Sequence, residues 1–125
     1  MGKAAGNLWD EAIRSLGAGM EIASGNIYFR PNWLKKIGDK IDGHTHNFDH
    51  TTFFVSGRFK VIARKNGVVI AEEEITGPAI RLILADVNHE IIALEENSYF
   101  LCVYAHRDPQ GNVIERCEGY FRAYQ

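Results

Sequence analysis

The stretch Gly43-His44-Thr45-His46-Asn47-Phe48-Asp49-His50 gathers three of the chain's five histidines at the spacing H-x-H-x-x-x-H. A fourth, His89, follows after enough chain for several strands. Neutral imidazole is the commonest protein ligand for transition metals. On a strand, residues two apart share a face, so His44 and His46 can offer two nitrogens to one ion. His50 joins them if the strand continues or bends in between. Working outward, residues 52 and 54 share the face of His50, while Thr51, Phe53 and Val55 point the other way. That second set is also apolar, which calls for a cover over the outer surface, either the N-terminal segment or a second subunit. An inward His89 would carry Ile91 and Ala93 with it.

The flanking sequence reads as strands separated by turns. Candidates are Asn26 to Arg30, Trp33 to Ile37, the histidine segment up to Ser56, Arg58 to Arg64, Val68 to Ile75, Ala79 to Leu84, His89 to Leu94, Ser98 to His106 and Gly119 to Tyr124. Asn66-Gly67 between two apolar runs is a strong hairpin signal. Gly77-Pro78, Glu96-Asn97 and Asp108-Pro109-Gln110-Gly111 mark further turns. One short helix is expected near the start. Asn7 is a good N-cap, Leu8, Trp9, Ala12, Ile13 and Leu16 repeat at helical spacing, and Gly17 and Gly19 end it. Many short strands with no helix between them predict an all-β antiparallel sandwich or barrel.

At 125 residues the chain is read as a single domain, 1–125. A formal net charge of −2 gives no basic excess for nucleic acid. No apolar run is long enough to cross a membrane. The first residues lack the apolar core of a secretory signal, so the expected location is cytoplasmic. Cys102 and Cys117 are read as reduced thiols.

The histidine segment resembles the first motif of the cupin superfamily. Gly38, five residues, His44, one residue, His46, three residues, His50, six residues and Gly57 follow its pattern, G-(X)5-H-X-H-(X)3-4-E-(X)6-G, with His50 in place of Glu. His89 matches the histidine of the second motif, whose Pro, second Gly and Asn would fall on Leu84, Asp86 and Ala93. The resemblance covers about residues 38 to 94. It is similar to the small single-domain cupins that carry four histidines. It implies a jelly roll, a double-stranded β-helix barrel, with a motif-bearing core over about residues 26–106. It also implies a metal held inside one end by His44, His46, His50 and His89, and often a homodimer.

Four neutral imidazoles add no charge to a divalent ion, so such a centre keeps +2 and is a stronger Lewis acid than one bearing a carboxylate. Fe, Mn, Ni, Cu and Zn are all compatible with the donor set. The expected function is a small-molecule oxygenase of dioxygenase type, its partner a small-molecule substrate. The alternative is a non-catalytic metal- or small-ligand-binding domain. His106 ends a strand and is read as a surface or turn residue. Asp49 is read as structural or as a hydrogen-bond acceptor for a ligand imidazole. Phe48, Phe54, Tyr104 and Trp33 are candidates for the pocket mouth or the core. The run Glu72-Glu73-Glu74 is read as a solvated strand.

Overall fold

A computed structural model describes residues 20–44, 48–115 and 117–123. These form ten strands: β1 (Met20–Gly25), β2 (Ile27–Leu34), β3 (Lys40–His44), β4 (His50–Ser56), β5 (Arg58–Lys65), β6 (Val68–Thr76), β7 (Ala79–Ile83), β8 (Asn88–Ala93), β9 (Ser98–Ala105) and β10 (Cys117–Ala123). The expected helix over Leu8 to Leu16 lies outside the described residues. Two antiparallel sheets face each other. One has six strands in the order β10-β1-β2-β9-β4-β7, the other four in the order β3-β8-β5-β6.

Turn chemistry sets the registers. Lys65 pairs with Val68, leaving Asn66-Gly67 as a two-residue loop. Both loop residues have positive φ, 53° and 77°, as a type I′ turn requires. Gly57 (φ 97°) links β4 to β5 where the backbone passes against Ser98. A Cβ there would run into the Ser98 side chain and lie 2.7 Å from its Cα.

Three sequence expectations are corrected. β1 was not among the expected strands, because its six residues are wedged between glycines and show little alternation. Asn26 to Arg30 and Trp33 to Ile37 are not two strands. β2 runs unbroken through Pro31, paired to β9 along its whole length. Its pairing with β1 stops at Phe29, so at Pro31 the strand has a partner on one side only and a missing donor is tolerated. The histidine segment is not one continuous strand either. β3 ends at His44 in the four-stranded sheet, and β4 begins at His50 in the six-stranded sheet.

Alternation sorts the six-stranded sheet into two apolar faces. Leu34, Phe54, Phe100 and Cys102 point inward and meet Phe59, Ile75, Ile91 and Ala93 of the opposite sheet. Phe54, Phe59 and Phe100 pack with ring centroids 4.9 to 5.8 Å apart. The outer face carries Val55, Tyr99 and Leu101, all buried, with Phe29, Trp33, Phe53 and Val103 packed on them. Ile80 and Leu82 of β7, cross-strand from Phe53 and Thr51, continue this face and are exposed.

Candidate metal centre

His50 opens β4 and His89 lies in β8, so the two belong to different sheets. Both are buried, at 3% and 2% exposure. Their rings meet across the barrel interior with centroids 5.3 Å apart. The alternation holds on both strands: Thr52 and Phe54 are buried with His50, and Ile91 and Ala93 with His89. His44 is the cross-strand partner of His89, just after a register shift that begins at Ile41. A bulge of this kind re-aims the residues beside it. It lies against Asn88, whose side chain fills the place a Cβ on Gly43 would occupy. His46 lies outside the described residues, and His44 is placed here by its backbone alone. Among the described residues no group of three or more His, Cys, Asp or Glu side chains converges.

The donor chemistry fits a transition ion at His89. Its Nδ1 stands 3.3 Å from the carbonyl oxygen of Val87. A carbonyl only accepts, so this bond places the proton on Nδ1 and the lone pair on Nε2. Metal-bound histidines are oriented by such a bond from the other ring nitrogen.

Aromatic groups surround the pair. Tyr104 lies edge-on to His50 at 6.0 Å, Phe48 packs on Tyr104 at 5.1 Å, and the Arg107 guanidinium sits 4.6 Å from the Phe48 ring centre. Tyr28 contacts Tyr104 at 4.7 Å and stacks on His106 at 5.9 Å. The four aromatic candidates therefore separate. Phe48 and Tyr104 border the histidines, Phe54 is core, and Trp33 lies on the outer face. His106 is a strand-end residue, as expected, with its N–H on the Asn26 carbonyl. Asp49 is structural: its Oδ1 accepts the Ala85 N–H at 2.7 Å and ties the chain before β4 to the turn after β7.

Sequence reasoning missed Arg30. It is cross-strand from Cys102, and Tyr28 beside it is cross-strand from Tyr104, which puts a cation on the interior face of the six-stranded sheet. Dividing β2 at Pro31 hid the alternation of Tyr28, Arg30, Asn32 and Leu34 that would have revealed it. Next to it, burial pushes the Cys102 thiol up to about 11, while a hydrogen bond with Thr52 and the Arg30 charge pull the other way.

The fold of two facing antiparallel sheets is similar to that of solved structures. A Bacillus halodurans protein is similar over 85% of this chain and 84% of its own, with TM-score 0.67 and 18% identity. A cupin superfamily protein from Desulfitobacterium hafniense matches over 70% of this chain and 77% of its own, with TM-score 0.55 and 8% identity. The fold is that of the cupins. Hydroquinone 1,2-dioxygenase from Sphingomonas sp. TTNP3 shares the cupin barrel over 66% of this chain and 25% of its own, with TM-score 0.57 and 15% identity. No family model and no curated protein sequence matches this chain.

Proposed function

We propose that this chain is a metal-dependent cupin acting on a small molecule, in the manner of a dioxygenase. The observation that carries this reading is the close approach of the buried, mutually tilted rings of His50 and His89 from two different sheets, with His44 cross-strand from His89. In this reading His44, His46, His50 and His89 hold one divalent transition ion, with Fe, Mn, Ni, Cu and Zn all suited to the donors. The ion supplies Lewis acidity, undiminished because imidazoles bring no charge, and open positions for ligands. The chain does the remaining work. The Val87 carbonyl fixes the tautomer of His89. Phe48 and Tyr104 offer ring faces to a planar ligand beside His50. Phe54 and Ile91 below keep water from the floor. A neighbour of the same fold that is a hydroquinone 1,2-dioxygenase makes phenols the first substrates to try.

The experiment is to strip the protein, load it with Fe(II) or Mn(II) and follow oxygen uptake with phenols, diketones and thiols. Turnover with one metal supports the reading; no turnover with any metal across the panel counts against it. The second reading is a non-catalytic metal- or small-ligand-binding domain. It draws on the aromatic border of Phe48, Tyr104 and Tyr28, which can hold a ring without reacting with it. Tightly held Zn without oxygen uptake would favour it.

Our reading includes a homodimer joined through the outer face of the six-stranded sheet, where Ile80 and Leu82 extend a cluster already built of Val55, Tyr99 and Leu101. No helix of the described residues is long and apolar enough to cross a membrane. We keep the cytoplasm as the working location, consistent with the free thiol of Cys102.

A further inference from the structure

The two sheets do not close completely where their edge strands β6 and β7 face each other. A cavity of about 170 Å³ lies there, walled by Phe54, Val61, Ala63, Ala71, Ile75 and Ile83. Its rim is an ion pair that spans the gap. Glu73, cross-strand from Val61, receives Arg81, cross-strand from Thr52, with Nη2–Oε1 at 2.7 Å and Nε to both carboxylate oxygens at 3.1 and 3.2 Å. Of the neighbouring glutamates, Glu72, which also lines the cavity, pairs with Lys60, and Glu74 pairs with Arg58. Both glutamates of the lining are thus paired with cations, and most of the wall is left hydrocarbon.

Register ties this cavity to the histidines. Ile83 is cross-strand from His50, and Ala63 is cross-strand from His89. Two of the cavity's wall residues, Ile83 and Ala63, are thus the strand neighbours of the histidines, and the cavity lies on the other side of β4 from Tyr104. An engineered apolar cavity of about 150 Å³ holds benzene, so this space, which is partly open to solvent, has room for one six-membered ring.

We propose that this flank cavity seats the bare hydrocarbon ring of a small monocyclic aromatic ligand, with the ligand's polar end turned toward His50 and His89. That the ring belongs to the substrate rests on the metal reading above; that the cavity takes a ring does not. Fluorobenzene is the probe, titrated into full-length methyl-labelled protein, first free of metal. Saturable shifts of the Ala63, Ala71, Ile75 and Ile83 methyls are expected. Ala71→Leu, which fills the space from a solvent-accessible strand, should weaken the probe by roughly tenfold or more with an unchanged melting temperature. If that variant unfolds, Ile83→Ala replaces it, and the enlarged cavity should admit 1-fluoronaphthalene. Absence of saturable shifts at these methyls, or shifts indifferent to both variants, overturns the proposal. Mn(II) is then added. Broadening of the bound fluorine signal supports the juxtaposition with the histidines, and a bound ion that leaves the signal sharp refutes it. A protein that binds no Mn(II) sinks the metal reading, while the methyl shifts still decide the cavity.

Discussion

His50 and His46 are the residues on which the metal reading turns. His46→Ala should abolish stoichiometric metal in elemental analysis while circular dichroism still reports a β protein. His50→Glu should keep the ion, since a carboxylate is also a ligand for these metals. Full metal content in His46→Ala would show the site to be wrongly placed. Cys102 makes a different test. Its thiol is raised to about 11 by burial, above the ordinary 9.0 of an exposed thiol. Between these values the unfolded chain gives up the proton and the folded chain keeps it, so this group costs stability as pH rises through that window. Cys102→Ala should lose less melting temperature than the parent between pH 9 and 11. The inward set His50, Thr52, Phe54 and the set His89, Ile91, Ala93 were legible, because strand alternation is a local rule. Arg30 was not, because its face follows only from a strand that continues through a proline.

At the scale of elements, the β5–β6 hairpin should be sensitive at Gly67. Its φ of 77° has open space around it, so Gly67→Ala costs conformational strain alone, about 1–2 kcal/mol in chemical denaturation. Gly57→Ala should cost more, since the added carbon meets Ser98 as well. The bridge across the β6–β7 edge has its own signature. The hydrogen bonds from Arg81 hold the Glu73 carboxyl below its ordinary value of 4.5. Both folded and unfolded chains carry the charge at neutral pH, and the stabilisation is lost as pH falls through the lowered value. The melting temperatures of the parent and Glu73→Gln should differ at pH 7 and converge in acid. The Asn66-Gly67 turn was readable because its residues dictate its shape. The break between β3 and β4 was not, because a change of sheet depends on where Asp49 finds the Ala85 N–H, 36 residues further along the chain.

For the whole molecule, two layers with an aromatic interior follow from many short strands with no helix between them. Which strands share a sheet does not, since β1 joins β10 across almost the entire chain. The apolar outer face predicts self-association. Sedimentation should show a dimer, and Leu82→Glu, on an exposed edge strand, should shift it toward monomer with little loss of melting temperature. The passage of the histidine motif from one sheet to the other has a consequence for motion. An ion shared by His50 and His89 would hold the two layers at one spacing, so separating them would mean breaking ligand bonds. Amide exchange in β4 and β8, on opposite walls, should then slow together when metal is added and quicken together when a chelator removes it. The ion would act as the hasp of the barrel, and its loss would be felt as breathing along the whole seam between the sheets.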